Sequence, residues 1–334
     1  MKGITMKKMK TLLSSIVVAA LAVGMTACSG SDNGKSAGGK DGATYRVAYV
    51  ARAQADSYAA WLADEMKKAA EKYPDIKLEV FDGQADDETE NKMIENAVAN
   101  GFDGIIVQPN NGEAQRAYVE QAVAGGLKVI TTNAKIDNIE GSSTVDSNPY
   151  DQAAGVAKVA LEKVPKNAKV VVLLGPAGNF HSSERRVAWQ KEFFDKRPDV
   201  KIIAEDIANW NKNEAMAFME DWTTAHGKID AVISMNDNMA AGAIEVVKND
   251  KNYADMQAYG TDGVPEATLL IKEGKLTATV LQDAKELAEL NMAGMHALLT
   301  GEKKKVEDSI SNPLIDSSNV QKYIDLYTEL KMIK

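Results

Sequence analysis

Short apolar runs alternate with amphipathic stretches along most of the chain. In the first half, runs of strand length lie at 45–51, 76–81, 103–108 and 127–131. Between the first two runs, over 57–73, Leu62, Met66 and Tyr73 recur at the spacing of one helix face. Strands that alternate with helices predict parallel pairing, so the pattern indicates an α/β sheet.

The same alternation begins again after the segment STVDSNP at 143–149. Further strands are predicted at 169–175, 200–204, 230–234 and 256–260, and helices at 182–196, 212–226 and 238–249. Two sets of similar size predict two doubly wound parallel-sheet lobes, each of ordinary domain size.

The N-terminal residues differ in composition from the rest. A basic MKKMK at 6–10 precedes an apolar LLSSIVVAALAVGM at 12–25, which is shorter than the roughly 20 residues that a membrane-spanning helix needs. We therefore expect residues 1–27 to be an export signal peptide. Residues 28–43 are rich in glycine and polar residues, which predicts a flexible tether.

Cys28 is the only cysteine, so it cannot form a disulfide within the chain. It follows MTA directly, and MTAC resembles the lipobox of bacterial lipoproteins, whose cysteine carries the lipid. The alternative is an incidental free thiol behind an ordinary signal peptide. Cleavage after residue 27 removes four lysines and no acid, so the formal charge changes from -9 to -9 - 4 = -13. We expect lipidation at Cys28 and a location on the outer face of the cytoplasmic membrane.

The overall composition favours a globular protein that binds small solutes or proteins. Of 334 residues, 45% are hydrophobic and 26% charged, which is enough for one large or two medium domains. A net charge of -9 disfavours a general affinity for nucleic acid. We expect no nucleic-acid partner and a monomer.

In open α/β sheets, ligands bind beyond the carboxyl ends of the strands. The residues just past the apolar runs are mostly polar side chains that can contact neighbouring hydroxyls, or aromatic rings that can cover a sugar face. They are Arg52, Gln54, Asp56, Tyr58, Asn133, His181, Arg185, Trp210, Asn236, Asp237, Asp262 and Gln282. This composition suits a polyol ligand.

Four segments carry a family resemblance: AGNFHSSERRVAW at 177–189, SMNDNMAAGAIEVV at 234–247, AYGTDGVPEA at 258–267 and GKLTATVLQD at 274–283. With them, the chain from about 45 to 330 resembles the ribose- and galactose-binding family of periplasmic-type, type I sugar-binding proteins, which serve ABC importers. We expect an N-terminal lobe of 44–147 plus 283–311 and a C-terminal lobe of 148–282 plus 312–334, joined by hinge crossings.

Carried over position by position, the resemblance implies ligand contacts from both lobes and from one hinge crossing. These residues are Asp56, Tyr58, Asn133, Arg185, Trp210, Asn236, Asp262 and Gln282. Arg52 and His181 are further candidates, and an inward Arg52 would favour a sugar acid. Ala59 and Ala134 replace an aromatic and a basic residue of ribose binders, which weighs against ribose.

Each contact has a structural alternative. Asp56 could only cap the following helix, and Asp262 could cap the helix that begins near Pro265. Trp210 could pack on the surface of its lobe, and either Arg185 or its neighbour Arg186 could be solvated. A structural or rim role is open for His181, and Asp237 is expected to hold the loop behind Asn236.

The function expected from the resemblance is capture of a monosaccharide or cyclitol and its delivery to the permease subunits of an ABC importer. The ligand would be a galactose- or glucose-like hexose, or inositol. A receptor that signals to a membrane sensor remains an alternative. A repressor core of similar architecture would have a DNA-binding segment where the leader stands.

Enzymatic function is disfavoured, although Asp56 and Asp262 could form the acid pair of a glycosidase. Three histidines, His181, His226 and His296, occur without an HExxH pair, and no P-loop is found. No counterpart of the calcium loop of some galactose binders is evident. We expect no metal and no cofactor.

Overall fold

The computed structural model describes residues 44–333, which form two six-stranded sheets flanked by helices. The signal peptide expected at 1–27, the lipidated Cys28 and the tether at 28–43 lie outside the described residues. Within 44–333, no helix combines the length and apolar character required to cross a bilayer.

The first sheet contains six strands, all paired in parallel, in the order β2-β1-β3-β4-β5-β11. Their bounds are β1 Tyr45–Ala51, β2 Ile76–Asp82, β3 Gly104–Val107, β4 Lys128–Thr132, β5 Ser142–Asp146 and β11 Glu307–Ser309. An order that reverses beside the first strand creates a crevice at the carboxyl ends, where α/β proteins bind ligands.

The second sheet repeats this order as β7-β6-β8-β9-β10-β12. Its strands are β6 Lys169–Leu174, β7 Lys201–Ile207, β8 Ala231–Ser234, β9 Gln257–Tyr259, β10 Ala278–Val280 and β12 Leu314–Asp316. The expectation of parallel sheets needs one correction, because β12 pairs antiparallel with β10. The segment between β11 and β12 is too short to reach the far edge of the second sheet, from which β12 would have to start in order to run parallel to β10.

Ten α-helices cover the sheets of the described chain. They are α1 Ser57–Ala70, α2 Asp87–Ala99, α3 Gly112–Ala124, α4 Pro149–Lys163, α5 Phe180–Glu192, α6 Lys212–His226, α7 Asp237–Val247, α8 Pro265–Lys272, α9 Ala284–Thr300 and α10 Val320–Glu329. Eight of them, α1 to α7 and α9, begin after an Asp or Asn whose side chain accepts a backbone N–H of the first turn. The sequence thus encodes most helix starts locally.

The buried strands explain why continuous apolar runs predicted them well. In β1, Val47, Tyr49 and Ala51 join one apolar core while Ala48 and Val50 join the core on the other face. Both faces of the sheet are covered by helices, so neither face can be polar. The α/β class and the two-sheet architecture expected from the sequence are confirmed.

The chain passes between the two sheets three times. The first crossing follows β5 and leads into α4, the second follows β10 and leads into α9, and the third joins β11 to β12. Backbone hydrogen bonds tie them together, with Ile310 N donating to Asp146 O at 3.1 Å and Leu281 N donating to Pro313 O at 2.8 Å. Three adjacent crossings form a hinge between the lobes built on the two sheets.

One carboxyl group is buried deep in the first lobe. Glu90 of α2 is 0% exposed, its Oε2 accepts the Asn110 N–H at 3.0 Å, and its Oε1 has no hydrogen-bond partner within 44–333. Burial raises the pKa of Glu90 to about 8, against the opposing effects of the Asn110 hydrogen bond and the Arg52 charge. The folded protein therefore holds a proton on Glu90 at neutral pH.

We expect Glu90→Gln to remove a pH dependence of stability. Between pH 4.5 and about 8 the folded state keeps the proton of Glu90 and the unfolded state loses it, so wild-type stability falls as pH rises. The slope from one such site is about 1.4 kcal/mol per pH unit at most. Urea unfolding at pH 5, 6, 7 and 8 should show a flatter profile for the variant.

The exposed Glu95 of the same helix provides the control. Glu95→Gln should keep the wild-type profile, since this side chain is in contact with water in both the folded and the unfolded state. Parallel profiles for wild type and Glu90→Gln would contradict the buried, protonated state of Glu90.

Candidate ligand-binding site

A polar cavity lies where the carboxyl ends of the two sheets face each other. The side chains around the cavity come from both lobes and from one crossing. They are Arg52, Asp56, Tyr58, Gln108, Asn133, Asn179, His181, Arg185, Trp210, Asn236, Asp262 and Gln282.

The cavity brings together all ten residues that the sequence singled out as contacts or candidates. Those of the first lobe follow β1 and β4, and those of the second lobe follow β6, β7, β8 and β9. Gln282 lies in the second crossing. Parallel strands present their carboxyl ends at one edge, which explains why residues far apart in sequence meet here. Ligand contact by each of them stays a prediction.

Asp56 has two roles, one for each carboxylate oxygen. Its Oδ1 accepts the Ala59 N–H at 2.8 Å and caps α1, so the structural alternative considered for this residue is present. Its Oδ2 lies 3.3 Å from Arg52 Nη2 and accepts no hydrogen bond from the described residues. An acceptor therefore remains available beside the cavity.

Tyr58 offers a second buried polar atom without a partner. Its side chain is 3% exposed, and its hydroxyl makes no hydrogen bond to another described residue. Burial raises the pKa of Tyr58 well above its usual value, with Asp262 adding to the rise. Buried polar groups are nearly always hydrogen-bonded, so a hydroxyl at a cavity wall indicates a place for a polar guest.

Arg185 connects most of the polar groups of the second lobe. Its Nη1 donates to the Met235 carbonyl at 2.7 Å, and its Nε and Nη2 both donate to Gln152 Oε1. Nη2 also lies 3.3 Å from Asp262 Oδ1 and 3.3 Å from Gln282 Oε1. Of the two adjacent arginines, Arg185 is buried, whereas Arg186 pairs with Glu205 near the surface.

Asp262 occupies a strained backbone position at the mouth of β9. Its φ is 121°, in a region that side-chain-bearing residues rarely adopt, and it is 4% exposed. Burial raises the pKa of the Asp262 carboxyl well above its usual value, while the Arg185 guanidinium opposes the rise. The free-energy cost of burying the Asp262 carboxylate is therefore only partly compensated by its neighbours.

Asp262 does not cap α8, because that helix begins after Val264 without a side-chain hydrogen bond at its cap position. Asp237 Oδ2 accepts the backbone N–H groups of Gly263 and Val264 at 2.7 and 3.2 Å, just before α8 begins. Burial raises the pKa of Asp237 to about 6. Asp237 therefore holds the loop, and the Asp262 side chain faces the cavity.

Trp210 forms the aromatic wall. It is 6% exposed, and its backbone is left-handed with φ 61°. Asn238 Nδ2 holds the Trp210 carbonyl at 2.7 Å, and the Arg185 guanidinium lies 5.7 Å from the ring centre. A Cβ on Gly175 would overlap Trp210 Cζ2, so a glycine there makes room for the indole.

Two amide side chains are held with one group turned to the cavity. Asn236 Oδ1 accepts the Met239 N–H at 2.9 Å as the cap of α7, which leaves its amide nitrogen as a donor. Asn133, with a left-handed φ of 46°, accepts at Oδ1 from Gln108 Nε2 at 2.6 Å. Asn133 therefore also presents donors.

His181 bridges the two lobes. Its Nε2 lies 2.9 Å from Asp146 Oδ1, and its Nδ1 lies 3.3 Å from Arg185 Nη2. Because an arginine can only donate, Nδ1 is the acceptor and Nε2–H donates to Asp146. Burial lowers the pKa of His181, in keeping with this neutral form. The structural role considered for His181 is present.

Two lining residues, Gln108 and Asn179, escaped the sequence analysis. Gln108 is the first polar residue after the apolar run of β3, and this position could have revealed it. Its Oε1 accepts from the Tyr49 hydroxyl and from the Arg52 N–H, so Gln108 fixes the side chain of Tyr49 and the backbone at Arg52. Asn179 caps α5 and donates from Nδ2 to the Asn110 carbonyl of the other lobe at 3.0 Å. Only the closed arrangement of the lobes reveals that contact.

Two parallel α/β lobes around one closed polar cavity define a bilobed solute-binding protein. The family model described as periplasmic binding protein domain matches residues 47–303. The chain belongs to this periplasmic binding protein family, in its type I, sugar-binding form that serves ABC importers, which confirms the resemblance seen in the sequence.

Individual relatives are distant but cover most of the chain. The xylitol-binding protein of Mycolicibacterium smegmatis is 27% identical over 256 residues, covering 72% of this chain and 72% of that protein. The ribose import binding protein of Bacillus subtilis is 28% identical over 239 residues, covering 72% of this chain and 76% of that protein. An ABC transporter solute binding protein of Bacillus halodurans with bound myo-inositol has a similar fold, with a TM-score of 0.80, 24% identity and coverage of 86% and 99%.

We expect Gly175→Ala to displace the Trp210 indole, since the added methyl group would overlap the ring. The four tryptophans Trp61, Trp189, Trp210 and Trp222 are at most 8% exposed, so exposure of one indole is detectable. Acrylamide quenching of tryptophan fluorescence should increase.

Gly155→Ala is the matched control, because a Cβ there meets Val280 Cγ2 at an ordinary 3.6 Å. Its quenching should equal that of wild type. Equal quenching for wild type and Gly175→Ala would show that the indole does not depend on the glycine.

Proposed function

We propose that this protein is an exported solute-binding lipoprotein that captures a neutral monosaccharide or cyclitol between its lobes and delivers it to an ABC importer. Sugar-binding proteins of ABC transporters form its family, which supports the general class. The xylitol, ribose and myo-inositol named for its relatives share the chemistry of small polyols with several hydroxyl groups.

One observation carries the proposal: buried acceptors from opposite lobes border a single cavity beside an aromatic wall. Asp56 comes from the first lobe, Asp262 and Trp210 from the second. Sugar hydroxyls are donors for such carboxylates, and a flat indole covers a C–H face. A guest that touches both lobes stabilises the closed form selectively and shifts the population toward it.

Charge balance favours a neutral guest over a sugar acid. The cavity is lined by two arginines and two aspartates, and each arginine lies 3.3 Å from one aspartate, Arg52 from Asp56 and Arg185 from Asp262. Arg52 does face the cavity, but its charge is already matched by Asp56. An added carboxylate would have to displace an existing ion pair and lose its own hydration.

The size of the guest suggests moderate affinity. A monosaccharide has about a dozen non-hydrogen atoms, and at roughly 0.6 to 0.7 kcal/mol per atom its binding free energy would be about -8 kcal/mol. This value corresponds to a dissociation constant in the micromolar range. Such affinity suits capture of a scarce solute, with release when the transporter separates the lobes.

Binding without turnover fits the arrangement better than glycoside hydrolysis. Asp262 is held by Arg185, and Asp56 is committed through one oxygen to the cap of α1. The relatives named above are binding proteins, which also supports this assignment.

Isothermal titration against neutral hexoses, pentoses, inositols and uronates tests the ligand class. We expect micromolar binding of at least one neutral polyol and no binding of uronates at the same concentration. Preferential binding of a uronate would contradict the charge argument. If no compound of the panel bound, the proposal as a whole would be contradicted.

Asp262→Asn should weaken binding of the polyol found in that panel by about a hundredfold, because hydrogen bonds to a charged acceptor contribute roughly 1.5–3 kcal/mol. Asp325→Asn, at an exposed position of α10, is the matched control and should bind as wild type does. Equal affinities for Asp262→Asn and wild type would exclude Asp262 from the contacts.

Cys28→Ser should release the protein from the membrane fraction, because a thiol is the acceptor of the lipid in the lipobox. Metabolic labelling with a radioactive fatty acid should mark wild type and leave the variant unlabelled. Equal labelling would contradict the anchor.

In a deletion strain, uptake of the bound polyol should fall; unchanged uptake would favour a sensor instead of an importer subunit.

A further inference from the structure

The three crossings between the lobes meet at one buried side chain. Ser147, Gln282 and Asn312 each lie in a different crossing. Gln152, in the first turn of α4, is 0% exposed, and its Nε2 lies 3.0, 2.8 and 3.0 Å from Ser147 Oγ, Gln282 Oε1 and Asn312 Oδ1. We call these four side chains the crossing network.

The amide oxygen of Gln152 contacts Arg185, which lines the cavity. Gln152 Oε1 accepts from Arg185 Nε at 3.1 Å and from Arg185 Nη2 at 2.8 Å. Arg185 Nη2 in turn approaches Asp262 Oδ1. One side chain that does not line the cavity therefore connects the guanidinium of the site to all three crossings.

We propose that Gln152 is a positioning residue that couples the binding site to the hinge: its amide nitrogen fixes the crossings, and its amide oxygen fixes the Arg185 guanidinium. The role of Arg185 as a ligand contact rests on the proposed function, but the link between Gln152 and the crossings does not.

Several features make a merely space-filling role insufficient. A buried glutamine needs partners for both amide atoms, and an apolar side chain of similar size would take from Arg185 Nε and Asn312 Oδ1 the one hydrogen bond that each makes within the described residues. Gln152 and Arg185 belong to helices α4 and α5, which pack together, so they move as one unit with the second sheet. A rotation at the crossings must therefore be transmitted to the Arg185 side chain or break these bonds.

Amide hydrogen exchange on the full chain without added sugar tests the link to the crossings. Gln152→Leu should speed exchange roughly tenfold, the factor for about one net buried hydrogen bond, in peptides that cover 145–149, 281–284 and 310–314. Peptides that cover the central strands at 104–107 and 231–234 should exchange as in wild type.

A second variant separates the two ends of the amide. Gln152→Glu keeps acceptors for Arg185 but loses the N–H donors, so it should speed exchange at the crossings as Gln152→Leu does. With myo-inositol and D-galactose as probes, Gln152→Leu should dissociate about tenfold faster from whichever probe binds wild type. Gln152→Glu should show a smaller increase, because the guanidinium keeps its partner.

Asn291 of α9 provides matched controls, since it is another amide with 0% exposure, bonded to Thr132 Oγ1 and to the Leu287 carbonyl. Asn291→Leu and Asn291→Asp should leave exchange at the crossings unchanged. If the crossing peptides of Gln152→Leu exchanged at the wild-type rate, or if every peptide exchanged faster by the same factor, the proposal would be overturned. If neither probe nor any polyol binds wild type, the proposed function fails while the exchange result still decides the role of Gln152.

Discussion

The buried guanidinium of Arg185 is the constraint on which the second half of the site depends. At 2% exposure it has lost its water, so its donors must find protein acceptors. It finds them in the Met235 carbonyl, Gln152 and Asp262, which come from three separate segments. Removing any one acceptor would leave a buried charge poorly compensated. The free-energy cost of that loss holds the side chains of the cavity wall and of the crossings in their observed positions.

Repetition of one sheet order explains why a cavity exists at all. Each lobe places the carboxyl ends of its strands along one edge, and the crossings set the two edges face to face. The cavity residues then take backbone conformations that an isolated strand or helix would not favour. Asn133, Trp210 and Asp262 have φ values of 46°, 61° and 121°, a local cost that the surrounding lobes must sustain.

Local patterns in the sequence were sufficient for the fold class and for most elements. The apolar run at 45–51 coincides with β1, and the predicted helix 212–226 coincides with α6. Such agreement follows from strands buried on both faces and from helices that begin at their own caps. The short strand β12 could not be predicted in the same way, because its antiparallel pairing depends on where the third crossing returns the chain.

By itself the sequence determined which side chains follow the strands, and the rule that ligands bind at carboxyl ends brought ten cavity residues into view. Only the tertiary structure decided how these groups share their hydrogen bonds. It showed that Asp237 holds the loop before α8, paired Arg52 with Asp56, and connected Gln152 to all three crossings. The reason is that hydrogen-bond partners are chosen by distance in space, and residues 100 or more positions apart become neighbours only after both lobes have folded and closed.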